Sequence, residues 1–308
     1  MKKGIFKSSL LVLSLLIISC SKQEEPNLDK YLNPEEPAVE NIYTNDPDAS
    51  WELVFEDNFD SNLSNWNIWE SGAFNEEIQF YREEQLSLED SLLKINIQRQ
   101  NISGPTTPFN NTTKSFEYVS GRIESKELFG PSVTVGEQQY RFIARIKMPY
   151  GHGFWPAFWS YGDPWPTKGE IDIIEAKGDE PNNYISNLFY GDTPNNVGEI
   201  KNENYNTHIE YTVTPNISSS FNEYEVIWSS HTIEIYFNGN LLYTYENAVN
   251  NNVANFFGKK HKLVLNTAVG GWFISDKNSL NFADSGEMQV DWVRVYNCLL
   301  YTSDAADD

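Results

Sequence analysis

Residues 232–245 read TIEIYFNGNLLYTY, two short runs rich in β-branched and aromatic residues separated by Asn238-Gly239. The first run alternates with period two, which is the repeat of a β-strand that buries one face. Asn-Gly tolerates the positive φ angles of a two-residue hairpin turn. The stretch therefore predicts two antiparallel strands joined by a tight hairpin.

The same texture extends outward from this hairpin over residues 51–297. Short runs rich in Val, Ile, Phe, Tyr and Trp are bounded by Gly, Pro, Asn or Asp, and residues 288–296 (MQVDWVRVY) alternate with period two. The sequence shows no long amphipathic helical pattern and no repeat of fixed period. Regularly spaced strands over a stretch of this length predict one all-β domain, an antiparallel β-sandwich.

The bulk composition limits the partners of this domain. The chain has 308 residues, of which 40% are hydrophobic, enough to bury a sizeable core. Its formal net charge of −22 argues against nucleic acid and anionic membrane surfaces, because both require compensating Lys and Arg. A neutral ligand is the easier fit, although a local cluster of Lys and Arg could still serve an anionic glycan.

The N-terminus has the pattern of an export signal. Lys2 and Lys3 precede a short apolar run that ends at Ile18, too short for a lasting membrane span. The Ile-Ile-Ser-Cys ending resembles a bacterial lipobox, which predicts a signal peptide at residues 1–19 and a lipid on Cys20. The alternative is an ordinary cleaved signal followed by an unmodified cysteine. With Cys20 lipidated, no intramolecular disulfide framework is available.

The segments on either side of the domain continue no strand pattern. Residues 20–50 are acidic and Pro-rich and predict a tether, while residues 298–308 (CLLYTSDAADD) predict a non-native or disordered tail. Together these features predict a bacterial outer-membrane lipoprotein exposed at the cell surface. We expect a monomer that meets the membrane only through its lipid anchor.

Residues 165–178 (WPTKGEIDIIEAKG) place three acids within six positions: Glu170, Asp172 and Glu175. In a regular strand Glu170 and Asp172 share one face, and Glu175 points to the other. A β-bulge at Ile173-Ile174 would reverse the facing of everything after it. With such a bulge all three acids line one surface and the isoleucines pack inward.

Three carboxylates at this spacing cannot all stay charged, so at least one pKa should rise. One ionised and one protonated carboxyl form the pair that a retaining glycosidase uses. The alternative is a solvent-facing strand edge whose charges deter aggregation. The flanking segments FWPAFWSYG (154–162) and WPTKG (165–169) are aromatic walls and favour a cleft.

GEIDIIE resembles the E-[I/L]-D-[I/V]-x-E signature of glycoside hydrolase family 16 in its bulged, laminarinase-like form, and it follows WPAFW as in that family. The resemblance covers most of residues 51–297 and implies a concanavalin A-like jelly-roll β-sandwich whose concave sheet forms an open cleft. Further ordered matches are WELVFEDNFD (51–60), NEEIQFY (75–81), SGRIESK (120–126), LNTAVGGWF (265–273) and VDWVRVY (290–296).

The resemblance implies a retaining endo-hydrolase of internal β-1,3 or mixed β-1,3/1,4 glucosidic bonds, as in laminarin. Glu170 would be the nucleophile, Glu175 the general acid/base, and Asp172 a hydrogen-bonding partner of the nucleophile. The alternatives are an agarase- or carrageenase-like activity on a marine galactan, a transglycosylase, and a glycan-binding surface protein without turnover. A lectin needs no clustered acids, so the three carboxylates favour an enzyme.

The same resemblance implies a set of substrate-binding residues. For each Trp the alternative is a core residue, for Arg141 a surface salt bridge, and for Asn75 a turn. The predicted substrate-binding residues are Asn75, Glu76, Arg141, Trp155, Trp159, Trp165 and Trp272.

The resemblance also bears on metals and on substrate preference. We expect no cofactor for catalysis, but the family's structural Ca²⁺ would use backbone carbonyls and Asp291, with Glu56 as a second ligand, and such oxygen donors suit this cation. The alternative is an Asp on an outer face without a metal. Where laminarinases carry a histidine after the catalytic strand, this chain reads YISNLFYGD at residues 184–192. That departure leaves the β-1,3-glucan preference open.

Overall fold

The computed structural model describes residues 51–131, 137–194, 208–229, 232–246, 253, 257 and 259–300. The predicted signal peptide, the predicted lipidation site Cys20 and the predicted tether lie outside these segments. Within them the regular secondary structure is almost entirely β-strand, and the strands form two large sheets. No helix in these segments is long and apolar enough to cross a lipid bilayer.

The larger sheet contains ten strands, numbered in chain order along the protein. They are β1 (Glu52–Asp57), β3 (Gln79–Tyr81), β4 (Leu86–Glu89), β5 (Leu92–Thr107), β6 (Asn110–Ser120), β8 (Glu137–Lys147), β13 (Asn222–Trp228), β14 (Thr232–Phe237), β15 (Asn240–Glu246) and β17 (Ser285–Leu300). The order is β15-β14-β13-β8-β17-β5-β6-β3, with β1 paired to β17 and β4 to β5. The β3–β6 pair is parallel.

The second sheet contains seven strands and carries the acidic segment. They are β2 (Trp66–Ile68), β7 (Arg122–Ser125), β9 (Phe154–Tyr161), β10 (Glu170–Glu175), β11 (Asn183–Phe189), β12 (Ile209–Thr212) and β16 (Lys262–Val269). The order is β12-β11-β10-β9-β16-β7-β2, and every neighbouring pair is antiparallel. The acidic strand β10 therefore lies inside the sheet, with partners on both sides.

The hairpin predicted at Asn238-Gly239 joins β14 to β15. Both turn residues have positive φ angles, 47° and 76°, and Phe237 faces Asn240 across the turn. Asn and Gly are the residues that adopt this geometry at low cost, so the local sequence sets the register of the two strands.

The hydrophobic core lies between the two sheets. Leu93 and Ile95 of β5 and Val293 and Val295 of β17 are fully buried, and Phe158 of β9 packs in the same cluster. Each such side chain contributes about 1.5–3 kcal/mol relative to exposure. Two packed sheets, antiparallel except for the β3–β6 pair, are the jelly-roll β-sandwich that the sequence predicts.

The last strand extends past the domain boundary predicted at residue 297. β17 continues to Leu300, where it still pairs with β8, and Cys298 is buried opposite Gln139. The predicted tail at residues 298–308 therefore begins too early, because the first three of these residues add rungs to an existing ladder. Residues 301–308 lie outside the described segments.

Candidate active site

Strand β10 contains the β-bulge predicted at the acidic segment. Asp172 faces Trp159 of β9 and Ile174 faces Phe158, the residue next to Trp159. Ile173 therefore has no partner of its own on β9 and is the additional residue of the bulge. The register with β11 also shifts between Asp172 and Glu175. Ile173 and Ile174 are both fully buried in the core. We call the opposite surface of this sheet, which carries the three acids, the cleft face.

Entry into β10 requires a glycine. Gly169 has a φ angle of 82°, and a Cβ at this position would lie 2.4 Å from ring atoms of Phe257. A side chain here would be strained by both the backbone angle and the contact. Gly169 therefore sets where Glu170 begins the strand.

The three carboxyl groups all have raised pKa values. Burial, followed by repulsion from Glu175, raises the pKa of Glu170 to about 8. Burial raises the pKa of Glu175 to about 7, with a further contribution from Glu77. Burial and then the charges of Glu175 and Glu170 raise the pKa of Asp172 well above its ordinary value. The site therefore retains protons near neutral pH, as predicted, and the titration belongs to the group as a whole.

Two tryptophans hold the two glutamates. Trp165 donates its indole N–H to Oε2 of Glu170 at 2.7 Å, and Trp155 donates to Oε1 of Glu175 at 2.8 Å. The Trp155 ring also stacks on Phe273, with centroids 4.8 Å apart. Both hydrogen bonds lower the pKa of their glutamates, although burial has the larger effect. These two predicted substrate-binding residues thus contact the acids directly.

Asp172 lies between the glutamates and is 3% exposed. It faces Trp159 on one side and Asn187 on the other. Its Oδ2 has no hydrogen-bond partner within the described structure. The hydrogen bond predicted from Asp172 to the nucleophile would use this atom, and a buried polar atom without a partner is costly.

Trp159 is half-buried on the cleft face beside a cation that the sequence prediction omitted. Its indole N–H donates to Oδ1 of Asn266 at 2.8 Å, and its ring stacks on Tyr161. The guanidinium of Arg122 lies 4.9 Å from the Trp159 ring centroid and 3.9 Å from that of Trp69. The positive charge of Arg122 also lowers the pKa of Glu170.

Arg122 lies in SGRIESK (120–126), a segment that resembles the family in sequence, so the same resemblance could have predicted Arg122 as a site residue. Its Nη2 pairs with Oε1 of the buried Glu124 at 2.7 Å, and its buried Nε has no hydrogen-bond partner within the described structure. A planar cation between two indole rings forms a rigid wall of the cleft.

A second residue missed from the sequence is Glu77. It is buried, accepts a hydrogen bond from Nε2 of Gln79 at 2.6 Å, and raises the pKa of Glu175. Tyr81 connects Glu77 to Asn266 through its hydroxyl, at 3.4 Å and 3.1 Å respectively. Because Asn266 also accepts from Trp159, one hydrogen-bonded chain runs from Glu77 to Trp159.

The residues predicted in this segment, Asn75 and Glu76, lie in a turn and are exposed, both with positive φ angles. Asn75 contacts the site through a side-chain hydrogen bond to Glu77 and accepts a backbone hydrogen bond from Trp272 at 2.9 Å. The carboxyl group of this segment that acts on the acidic strand belongs to Glu77, whose charge raises the pKa of Glu175. Glu76 was predicted from the motif match, which does not show that the turn leaves Glu76 exposed and buries Glu77.

Trp272 stands at the edge of a groove that begins at Glu175. Its side chain is 60% exposed, as expected for a stacking surface that is not part of the core. The groove has a volume of about 570 Å³ and crosses β11 and β12, which is within the range of ligand sites. Its lining includes Glu175, Lys177, Ile185, His208, Trp272 and Phe273.

The prediction that Arg141 reaches the sugar or the nucleophile is wrong. Arg141 lies on β8 in the ten-stranded sheet, whereas the acids lie on the seven-stranded sheet. Its neighbour Phe142 points into the core, so Arg141 points to the far surface, where it forms a buried ion pair with Glu225 and lies over the Tyr296 ring. Arg122 is the arginine whose charge acts on Glu170 in the acidic strand.

The two predicted calcium ligands each pair with an arginine. Asp291 pairs with Arg145, and Glu56 pairs with Arg294 at 2.7 Å. Each carboxylate thus already has a cationic partner, and a bound Ca²⁺ would have to displace both arginines. No group of three or more His, Cys, Asp or Glu side chains in the described segments could hold a metal ion. The predicted Ca²⁺, which would also use backbone carbonyls, stays a prediction.

Comparison with known proteins supports the sequence resemblance. Residues 76–226, which include the whole acidic strand, match the model of the XgeA-like catalytic domain of glycoside hydrolase family 16. The chain belongs to glycoside hydrolase family 16. This family 16 match begins at Glu76 and ends in β13, so it spans strands of both sheets.

Individual relatives agree with the family 16 assignment. A glucan endo-1,3-beta-glucosidase A1 of Niallia circulans is 27% identical over 292 residues, which is 85% of this chain and 39% of the relative. A keratan-sulfate endo-1,4-beta-galactosidase of Sphingobacterium multivorum is 32% identical over 195 residues, 60% of this chain and 42% of the relative. The chain spans about two fifths of the length of these two relatives.

Among solved structures, the endo-beta-1,3-glucanase of Pyrococcus furiosus superposes with a TM-score of 0.66 at 25% identity. The match covers 82% of this chain and 96% of the other protein. The agreement over nearly the whole of that structure confirms the family 16 jelly roll.

Proposed function

We propose that this protein is a retaining endo-glycoside hydrolase that cleaves internal β-1,3 or mixed β-1,3/1,4 bonds of a glucan. The observation that carries the proposal is the bulge at Ile173, which turns Glu175 to the same face as Glu170 and Asp172. A lectin would need the aromatic walls but not three buried carboxyl groups on one face. Burying them is unfavourable, and acid/base chemistry explains why they are present.

The mechanism requires two carboxyl groups in opposite protonation states. Protonated Glu175 gives its proton to the glycosidic oxygen as that oxygen leaves, and ionised Glu170 attacks the anomeric carbon to form a glycosyl-enzyme. Glu175 then takes a proton from water, whose oxygen displaces Glu170 with a second inversion. The raised pKa of Glu175, about 7, keeps its proton available near neutral pH.

The surroundings support these roles. The Trp165 hydrogen bond and the positive charge of Arg122 both favour ionised Glu170. Asp172, next to both glutamates, would keep its own proton and donate a hydrogen bond from Oδ2 to the carboxylate of Glu170. The position within the motif, and not the order of the pKa values, assigns the nucleophile.

A neutral glucan is the favoured substrate. Half-buried Trp155, Trp159 and Trp165 offer aromatic faces to the flat C–H surfaces of sugars, and the chain carries a net charge of −22. The Niallia circulans relative is named for action on 1,3-β-glucan. A galactan is the second candidate, because the 32% identical relative is named a keratan-sulfate endo-galactosidase. In addition, Asn187 faces Asp172 on β11, within the segment where laminarinases carry a histidine.

The test is incubation of the purified chain with laminarin, lichenan, agarose, carrageenan and keratan sulfate, followed by sizing of the products. We expect laminarin or lichenan to yield internal fragments, and proton NMR to show the β-anomer as the first product. Glu170→Gln and Glu175→Gln should each lose activity and still bind the polysaccharide. Full activity in either variant would reject the assigned roles, and an α-anomer would reject retention.

We also propose that the chain acts at the bacterial outer surface as a monomer tethered through a lipidated Cys20. The support is the lipobox-like ending of residues 1–20 and the acidic segment 20–50. Labelled palmitate should enter the wild-type protein and not Cys20→Ala. Incorporation that survives this substitution would reject the anchor.

A further inference from the structure

His152 occupies the turn between β8 and β9, where it lies between two aspartates from different loops. Its Nδ1 is 2.6 Å from Oδ2 of Asp179, and its Nε2 is 3.3 Å from Oδ2 of Asp276. A neutral imidazole has one N–H, so only the imidazolium can donate to both carboxylates at once. The ring also meets the edge of Phe282 at a centroid distance of 5.4 Å.

The two loops that His152 joins both carry parts of the candidate active site. Asp179 follows Glu175 by four residues, and Asp276 follows Phe273 by three. Phe273 stacks on Trp155, whose indole N–H donates to Glu175. A shift of either loop relative to the other would therefore disturb the stack and the hydrogen bond.

We propose that His152, by bridging Asp179 and Asp276, is a positioning residue that holds the Phe273 loop in place and keeps the Trp155 indole directed at Glu175. This inference rests on the proposed function, and it adds a pH dependence that the three catalytic carboxyls do not supply. His152 does not touch the reacting atoms and acts only through Phe273 and Trp155.

The charges around His152 determine the direction of that dependence. Burial lowers the pKa of His152, but the hydrogen bonds and charges of Asp179 and then Asp276 outweigh it, and the pKa is raised. The other charged groups of these loops have partners elsewhere. Lys177 pairs with Glu180, Lys277 donates to the carbonyl of Gly271, and Asp284 pairs with Arg99.

A raised histidine pKa means that the bridge is complete at low pH and is lost as the pH rises through the pKa of the folded protein. Above that pH one hydrogen bond and both ion pairs disappear. The imidazole ring and both carboxylates are each about one-third exposed, so solvent weakens the two ion pairs. We therefore expect kcat/KM to fall only about two- to tenfold when the bridge is lost, as for the loss of one or two surface ion pairs.

The first measurement needs no activity. In the full chain labelled with ¹⁵N, the Trp155 indole N–H signal, assigned by its loss in Trp155→Phe, is followed against pH together with the His152 imidazole. We expect His152 to titrate above about 6.5, the value of an ordinary histidine. The Trp155 signal should follow with the same midpoint, in addition to the step caused by Glu175.

Two variants and one control separate the contributions. His152→Gln removes the imidazolium charge and should remove the change in the Trp155 signal that has the midpoint of His152. The double variant Asp179→Asn/Asp276→Asn should move this change to lower pH, because the imidazole is kept but both neighbouring carboxylates are lost. Glu89→Gln breaks a surface pair with Lys94 far from the cleft and should change nothing. If His152→Gln does not fold, the double variant still tests the bridge.

Activity against pH gives the second readout. Relative to wild type, His152→Gln should show a lower kcat/KM at pH 5–6 and the same value at high pH, so the two profiles converge. Trp155 signals and profiles that superpose for His152→Gln and wild type would overturn the inference. If no polysaccharide is cleaved, the proposed function fails, while the Trp155 signal still decides whether the bridge positions the indole.

Discussion

The indole N–H of Trp165 lies 2.7 Å from Oε2 of Glu170. An indole can only donate, so this contact favours the ionised carboxylate. Trp155 makes the same kind of contact with Glu175 at 2.8 Å. Each of the two glutamates therefore has one oxygen held in place by an indole. Burial nevertheless raises both pKa values, so the two indoles only moderate the proton affinity of the glutamates.

Replacing Trp165 with Phe should slow the chemical step. The substitution keeps an aromatic ring and removes one hydrogen bond to a charged group, worth about 1.5–3 kcal/mol, so we expect kcat to fall about 10- to 100-fold. Steady-state kinetics on the best substrate of the panel measure it. A Trp165→Phe enzyme that loses only affinity, with kcat intact, would show that Trp165 acts as a sugar platform instead.

Glu170→Gln should make the protein more stable at alkaline pH. The pKa of Glu170 is about 8 in the folded protein and near the ordinary 4.5 when unfolded, so the folded state binds the extra proton between these values. Stability conferred by that proton falls as the pH rises from about 4.5 to about 8. Glutamine has no such loss.

Thermal melts measure this difference. The difference in Tm between Glu170→Gln and wild type should increase in favour of the variant from about pH 5 to about pH 8.5. We expect about 2–4 °C for each kcal/mol of stability that wild type loses when Glu170 ionises. Glu56→Gln, whose carboxylate lies at the surface beside Arg294, serves as the control and should show no such trend. A constant difference across the range would contradict the raised pKa of Glu170.

Glu77→Gln should shift the pH profile of activity. Removing the negative charge of Glu77 lowers the pKa of Glu175, so the general acid loses its proton at a lower pH. The alkaline limb of kcat/KM moves to lower pH, with activity at its upper end reduced about two- to tenfold. Glu76→Gln is the matched control, because the exposed neighbour should leave the profile unchanged. A profile that moves the other way would exclude Glu77 as a charge neighbour.

Arg122 and Arg141 offer a matched comparison between the cleft and the opposite sheet. Each pairs with a buried glutamate, so Arg122→Met and Arg141→Met should both lose about 3–5 kcal/mol of folding stability. Only Arg122→Met should raise KM, by about tenfold, because it removes the cation between Trp69 and Trp159. An equal KM change in both variants would mean that the effect is only structural.

Deleting Ile173 should abolish activity and leave a folded protein. Without the additional residue, β10 pairs regularly with β9 and Glu175 turns away from Glu170. Circular dichroism and the melting curve check the fold, and product sizing checks turnover. A folded deletion variant that still cleaves polysaccharide would contradict the geometry on which the mechanism depends.

Local patterns in the sequence were sufficient for several features. The Asn238-Gly239 hairpin depends on neighbouring residues only, and the structure confirms it, as it does the bulge that was predicted at Ile173-Ile174 to bring the three acids together. β17 also forms as a strand, but its register shifts between Val290 and Trp292, so Val290 is buried with Val293 and Val295 and the predicted strict alternation is wrong. The rise in pKa also followed, because the covalent spacing of Glu170, Asp172 and Glu175 limits how far apart they can lie.

Other features depended on which strands become neighbours. Arg122 and Arg141 both lie in strands that match the family, but the sheet that each strand joins is set by pairing with residues more than a hundred positions away, such as Asn266 for Arg122 and Tyr296 for Arg141. The positive φ angles of Asn75 and Glu76 likewise decide that Glu77 is the acid near Glu175.

The sequence alone therefore determined the all-β class and the identity of the three acids, because the class follows from the two-residue period of the strands and the acids lie in one contiguous motif. Their shared face depended on a bulge, which the resemblance to the bulged motif implied and the structure shows. Only the tertiary structure decided which arginine lines the cleft, that Asp291 and Glu56 have separate arginine partners, and that His152 joins two loops. These contacts form between residues far apart in the chain. Their geometry is set by sheet register and core packing, which no short stretch encodes.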